Sequence, residues 1–513
     1  MTTKNEILYN NVSSKLKAIH QTNKDLSIPC IYKVSKELRK LNKSAYNPCV
    51  VSIGPIHNKN DDDVDKEEQH LKEMEHIKVV YTKELLCRIA GTSASPEDER
   101  HWKDALMKCS TAMLDSEARA LNCYAENLKP IIEKKIHQHR LAEMLLIDGC
   151  FILELLYRSY LNIGKSISQG EPILGNSMIM SDIRHDLLLL ENQLPFFILK
   201  ELFSKTIKNI RDHPWSSCPS LTQFVLSFFG NMMNVKMIVK NDDIQSTTIN
   251  PENDNCFHIL HLLHSFYLSK PHNSESEPPE NDNCCHILHL LPSFCLSKPP
   301  DDDSGLPHYS HRASDLNRAG VKFKRRDGKG QFDVNFEEAS GLLWWCDSAK
   351  FEIPPLSIDD FTEPLLRNLI AFEQCCYDIK GRHYSSYAFL MDSLINSAAD
   401  IELLEEAGII TNNLGASEEA SVLFNNICKY IELEKFDFLK PRNDAENHCK
   451  RLWPKFLTSL KRDYFYNPWS VIAVVAAFIL FALAVVQTVY ALLTYYGVEY
   501  ETVRELHDMH SVL

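Results

Sequence analysis

Between Asn467 and Val498 the chain carries no charged residue, and Trp469 to Leu493 reads WSVIAVVAAFILFALAVVQTVYALL, interrupted only by Ser470, Gln487 and Thr488. A helix rises about 1.5 Å per residue, so this run matches a bilayer core roughly 30 Å thick with some tilt to spare. A buried core helix seldom runs so far without a charge, and the run therefore predicts one transmembrane helix over residues 469–493. Tyr464, Tyr466 and Trp469 precede it and Tyr490, Tyr495 and Tyr496 close it, where amphipathic rings favour the headgroup level. Arg451, Lys455, Lys461 and Arg462 lie before the span and only Arg504 after it, which places the N-terminal body in the cytosol. The first thirty residues hold no apolar run of secretory type, and the span sits close to the C-terminus, as in a tail anchor inserted after synthesis. The next most apolar stretch, Leu187 to Leu199, is cut by Glu191, Asn192 and Gln193, which lipid would not tolerate.

What precedes the span is ordinary globular material. The 513 residues are 44% hydrophobic and 24% charged, enough for a sizeable core, and a net charge of -14 argues against nucleic-acid binding, which needs a basic face. The sixteen cysteines show no paired CxxC spacing of the zinc-binding kind and read as free thiols. Two glycosylation sequons begin at Asn11 and Asn42.

Helical spacing dominates the body. Leu71, Met74, Lys78, Tyr81 and Leu85 form one stripe, Leu141, Met144, Leu145, Ile152 and Leu155 another, and a third helix is predicted from near Asp182 through the leucines to Pro195. Tyr32 to Pro55, with its prolines, reads as irregular wrapping, and Asp61–Asp65 and Gly91–Pro96 as loops. Val321 and Phe323, the Asp327-Gly328 turn signal, then Phe332, Val334 and Phe336, and finally Phe351, Ile353 and Leu356 predict a small antiparallel sheet near 321–356. PENDNCFHILHLLHSFYLSKP at 251–271 recurs at 279–299 with three differences in 21 positions. Pro292 stands where the first copy has His264, so the first copy is expected to pack as a helix and the second to form a loop extension. The organisation expected is thus an N-terminal extension (1–27), a helical region (28–250), a duplicated His-rich and acidic insert (251–307), the rest of the domain (308–460), the span (469–493) and a short tail (494–513). The fold class is mainly α, with a small antiparallel β element and one C-terminal transmembrane helix.

Five blocks carry a resemblance. They are CIYKVSKELRKLNKSAYNPCVVSIGPIH at 30–57, IDGCFILELL at 147–156, HDLLLLENQLPFFIL at 185–199, AGVKFK at 319–324, and FEIPPLSIDDFTEPLLRNLIAFEQC at 351–375. In that order they resemble the plant domain-of-unknown-function family 247, an uncharacterised protein family, from about Ile28 to the C-terminus. The resemblance implies a plant protein with a mainly helical domain, a C-terminal membrane helix and no established biochemical activity. Some relatives map to the self-incompatibility locus of grasses, which implies recognition or signalling. This chain departs from the pattern in its duplication, in LWWCDS at 343–348, and in Ser35 where the family usually has proline.

Four carboxylates interrupt apolar faces: Asp148, Asp186, Glu191 and Glu373. Groups of this kind must be paired, hydrogen-bonded or protonated, and either reading is open: a base in a hydrolase, using Asp148 or Glu191, or ties to Arg184, Arg367 and backbone groups. The structural reading is favoured, with ENQ before Leu194-Pro195 as a helix end whose carbonyls need partners. His258, His261 and His264 lie at helical spacing, near Cys256, Cys284, Cys285, His286 and His289, but lack a fixed third and fourth ligand, so an amphipathic helix is the plainer reading than zinc. The phosphate-loop, dinucleotide, HExxH and GxSxG signatures are absent. No catalytic, cofactor-binding or metal residue is assigned. The expectation is a non-enzymatic protein with lipid and protein partners, in the plasma membrane or endoplasmic reticulum; the alternative is a membrane-associated hydrolase or transferase.

Overall fold

The computed structural model describes residues 29–58, 69–90, 99–125, 140–163, 171–210, 218–230, 257–268, 309–327, 332–338, 348–376, 381–450 and 468–510, with a few isolated positions between them. Asp61–Asp65, Gly91–Pro96, Gly328, the second repeat copy at 279–299, most of LWWCDS, Asn11 and the basic residues before the span lie outside the described residues.

The helical stripes fold as their spacing requires. Helix α1 (Lys36–Leu41) is short and begins at Ser35, whose Oγ accepts from Leu38 N at 3.3 Å, a cap that proline cannot supply. Helices α2 (Gln69–Ala90), α3 (Glu99–Asn122) and α4 (Arg140–Leu161) pack against one another. On α2 the buried positions Met74, Lys78, Tyr81 and Leu85 step by three and four along one face. Helix α4 is buried on nearly every side from Leu141 to Arg158, which makes it the central element. Gly149 allows its closest approach: a Cβ there would stand 2.4 Å from Leu202 Cδ1 on α6 (Phe196–Lys205).

Helix α5 (Ser177–Asp186) starts earlier than the sequence suggested and stops nine residues before Pro195. The reason is local competition for carbonyls. Asn192 Nδ2 donates to Asp186 O (2.8 Å), and Gln193 Nε2 donates to Leu187 O (2.7 Å) and Leu189 O (2.9 Å), so side chains replace the bonds that further turns would have made. The helix end expected at Glu191–Gln193 thus falls at Asp186 instead, and the side chains of Asn192 and Gln193 reach back to carbonyls at and just beyond that end.

Helices α7 (Leu221–Phe229), α8 (Ile259–Leu268), α9 (Ala313–Arg318), α10 (Thr362–Cys375), α11 (His383–Leu394), α12 (Ala398–Glu406), α13 (Ser417–Ile427) and α14 (Leu439–Lys450) complete the body. The first repeat copy is the packed helix α8, as its sequence indicated. One continuous core cluster runs from Val34 to Cys449.

The sheet falls where the alternation placed it but is paired differently. Strands β1 (Lys322–Arg325), β2 (Asn335–Glu337) and β3 (Lys350–Ile353) stand in the order β1-β3-β2, with β1 parallel and β2 antiparallel to β3. β1 and β2 do not form the hairpin that the Asp-Gly signal implied. Phe351 and Ile353 are fully buried, whereas β1 and β2 are largely solvent-facing, so the most apolar strand takes the centre with a neighbour on both edges. A second, parallel pair joins β4 (Leu356–Ile358) to β5 (Ile410–Asn412).

Helix α15 (Pro468–His510) opens with proline at its first position, where no hydrogen bond is lost. Residues Ala476–Tyr495 have a mean hydropathy of 2.3 and are not buried by the body. Among the described residues it is the one helix long and apolar enough to cross a membrane. Its 43 residues correspond to about 65 Å, roughly twice a bilayer core, so the helix continues past the apolar run into the charged tail.

A buried carboxylate network as the candidate site

The segment 49–54 belongs to no helix or strand and bends at Cys49, Val50 and Gly54, so its amides must be satisfied by something else. Side chains do this, almost residue by residue. Asp186, at the end of α5, accepts Cys49 N (2.7 Å) at Oδ1 and Val50 N (2.7 Å) and Val51 N (2.8 Å) at Oδ2. Asn192 accepts Ile53 N (2.7 Å) and donates to Val51 O (3.0 Å). Asp148 accepts Gly54 N (2.8 Å), and Lys78 donates to Ser52 O. Gly54 has φ +70°, and a Cβ there would lie 3.0 Å from Gln193 O, so the turn needs glycine.

Asp148 and Lys78 also form an ion pair at 2.8 Å with side chains 3% and 1% exposed. Burial raises the Asp148 carboxyl and opposes the Lys78 charge, but Asp148 and Glu75 outweigh that opposition and hold the ammonium above its ordinary value. Glu191 accepts Val34 N (2.7 Å) at Oε1 and forms an ion pair with Arg39, whose Nη2 lies 2.6 Å from Oε1, with His57 Nε2 3.4 Å from Oε2. Glu373 accepts Tyr384 N (2.9 Å), Ser385 N (2.8 Å) and Ser385 Oγ (2.7 Å), and thereby caps α11 from α10. The expected ties to backbone groups are present. Those to Arg184 and Arg367 are not: Arg184 donates to Phe228 O at 3.1 Å and Arg367 to Glu363 at 2.7 Å, and the lysine and arginine that meet the carboxylates are Lys78 and Arg39. A sequence shows which charges are buried in a stripe, but not which distant stripe faces them.

The histidines of α8 are separated by function. His258 Nδ1 accepts from His261 N (3.2 Å), so its Nε2 carries the proton donated to Cys30 O (3.1 Å); His261 Nδ1 accepts in turn from Phe257 N (3.2 Å). The two imidazoles reproduce a reciprocal cap at the start of the helix. Burial pushes His258 down to about 3 and His261 well below its usual range. His264 Nε2 instead pairs with Glu373 Oε1 at 2.9 Å. The helical spacing thus served capping and core packing rather than a shared ligand.

Sequence reasoning passed over a second network. Glu154 and Arg158, four apart on α4, pair at 2.6 Å; Arg88 joins Glu154 at 2.9 Å, and Arg158 reaches Glu84 and Glu171 while lying 4.4 Å from the Tyr81 ring centre. The i,i+4 spacing was the available signal. It also passed over Cys49 and His185. Cys49 Sγ lies 3.7 Å from His185 Nδ1, which is 3.0 Å from Asp186 Oδ1. Burial opposes the imidazolium, but hydrogen bonds to Asp186 and Cys49 hold it up at about 9. The recess beside His185, floored by Leu188, Phe361 and Leu365, has no room for a water molecule.

Similarity to known proteins follows the same extent as this network and beyond. A family model described as a plant protein of unknown function matches residues 31–483. A UPF0481 protein of Arabidopsis thaliana is 28% identical over 469 residues, covering 91% of this chain and 87% of its own length. A putative UPF0481 protein of the same plant is 31% identical over 176 residues, 34% of this chain and 31% of its own. No solved structure matches.

Proposed function

From the premise that this chain belongs to the plant family of unknown function DUF247, we propose that it is a membrane-tethered, non-enzymatic protein whose helical body presents a binding surface to a cytosolic protein partner. The observation that carries this reading is the occupancy of the carboxylates. Asp148, Asp186, Glu191 and Glu373 each accept backbone amides and meet a cation, histidine or hydroxyl as well, so each is committed to structural contacts inside the body. The exposed apolar stretch Ala476–Tyr495 supports the tether.

Stability separates this reading from a hydrolase or transferase using Asp148 or Glu191 without knowledge of a substrate. Active-site carboxylates are usually held at a cost to the fold, so replacing one leaves stability unchanged or improved. Glu191→Gln and Asp148→Asn should instead lower the melting temperature by several degrees, because each removes the charge that a buried cation faces and turns one acceptor oxygen into an NH2 donor among buried donors. An unchanged or raised melting temperature in either variant would favour the enzyme. For the tether, the full chain should stay with membranes through an alkaline carbonate wash, and a chain lacking residues 467–513 should be released. Retention of that truncation would remove the anchor from the proposal.

A further inference from the structure

We propose that Cys49, His185 and Asp186 form an open zinc site where the bent 49–54 segment meets the end of α5. Three ligand atoms of suitable type converge there, all within 4.8 Å of one another. The spacings fit the ion. With ordinary Zn–S, Zn–N and Zn–O bonds, a tetrahedral site has edges of about 3.5 Å between sulfur and nitrogen and about 3.3 Å between nitrogen and oxygen. The corresponding separations here are 3.7 Å and 3.0 Å. Thiolate, imidazole and carboxylate together favour zinc over calcium or magnesium, which take oxygen alone.

The surroundings pre-organise these ligands. Asp186 Oδ2 is pinned by Val50 N and Val51 N, and Cys49 N donates to Oδ1, so one carboxylate both orients itself and fixes the backbone that carries the thiol. Zinc replaces the proton now shared between His185 Nδ1 and Asp186 Oδ1, and that proton and the thiol proton of Cys49 both pass to solvent on binding. Cys49 is exposed while His185 and Asp186 are buried, so the ion enters from the thiol side and water completes the fourth position there.

The full chain, purified in detergent micelles, supplies the test with cobalt as the optical probe. One equivalent of Co²⁺ should produce a thiolate-to-cobalt absorption band in the near ultraviolet, bleached by Zn²⁺ and missing from Cys49→Ser. Because Cys49 is exposed, that variant should keep the parent's circular dichroism and melting temperature. A cobalt spectrum without a thiolate band, or a band that survives Cys49→Ser, overturns the site. A second measurement needs no variant: stoichiometric Zn²⁺ should slow alkylation of Cys49 by iodoacetamide at least ~10-fold, read by peptide mass spectrometry, since a metal-bound thiolate is a poor nucleophile. Equal alkylation with and without zinc overturns it too.

Discussion

Lys78 and Asp148 show at the scale of single residues why buried charge here is structural. Each is nearly inaccessible, and each also holds a backbone group of the 49–54 segment, Ser52 O and Gly54 N. Removing one partner strands the other, at a cost of about 3–5 kcal/mol. Lys78→Met and Asp148→Leu should each destabilise by that order in denaturant unfolding, whereas the double variant should recover part of the loss. Full additivity would show that the two do not interact. Recovery should stay incomplete, because Ser52 O and Gly54 N would still lack partners. His258 gives a pH dependence of definite sign. Its folded pKa, about 3, lies below the unfolded value near 6.5, so the unfolded chain binds more protons between them and stability falls as pH drops through that window. The groups around it are His261, His264, Cys30 O and the Phe372 ring. Melting temperature should therefore fall on acidification from pH 6.5, and His258→Asn, neutral at every pH, should flatten that fall. An equally steep acid limb in the variant would assign the effect elsewhere. Much at this scale was legible: Asp148 stood out as a charge within a leucine stripe. Its partner, 70 residues away, did not, because only tertiary packing sets one stripe against another.

The elements were legible to the degree that one period dominated them. α2 and α4 repeat their apolar residues every three or four positions, and nothing competes with that order. The stretch after Asp186 looks as helical by hydropathy, yet Asn192 and Gln193 outbid the helix for its carbonyls. Pairing in the sheet was illegible for another reason: two-residue turn signals report a local bend, while strand order is decided by which strand is most deeply buried. The duplication offers a test of specification by a single side chain. α8 is tied by His264 to Glu373, and its start is fixed by Phe257 N and His258. The second copy has histidines at 286 and 289, but Cys285 in place of Phe257 and Pro292 in place of His264. Deleting 272–299 removes one full period and keeps the competent helix, so unfolding should remain cooperative with little change in midpoint. Deleting 251–278 instead offers Pro292 to the same position, where proline in a helix interior costs roughly 3 kcal/mol and Glu373 loses its imidazole. Equal midpoints for the two deletions would show that the copies are interchangeable.

At the scale of the whole molecule, the proposed tether raises the question of which side of a membrane the body would occupy. α15 is long enough to cross a bilayer and to carry helix beyond it. Four basic residues precede its apolar run and one follows, a bias that retains the preceding side in the cytosol. A role in recognition at a cell surface would place the body outside, so the two expectations conflict and one observation decides between them. Asn42 lies at the end of α1, half-buried, with Oδ1 accepting from Ser44 Oγ at 2.7 Å and Ala45 N at 3.2 Å; the other sequon begins at Asn11, outside the described residues. Glycan transfer precedes folding in the lumen, so the half-buried position of Asn42 would not protect it during synthesis. A cytosolic body should carry no glycan at either site when the full chain is expressed in plant cells. If endoglycosidase treatment shifts its mobility on a gel, and Asn11→Gln combined with Asn42→Gln abolishes the shift, the body faces the lumen and the charge bias has been overridden. To show that a negative result reports topology and not poor acceptor sites, the same body fused behind a cleavable secretory signal should acquire glycan at Asn11 or Asn42.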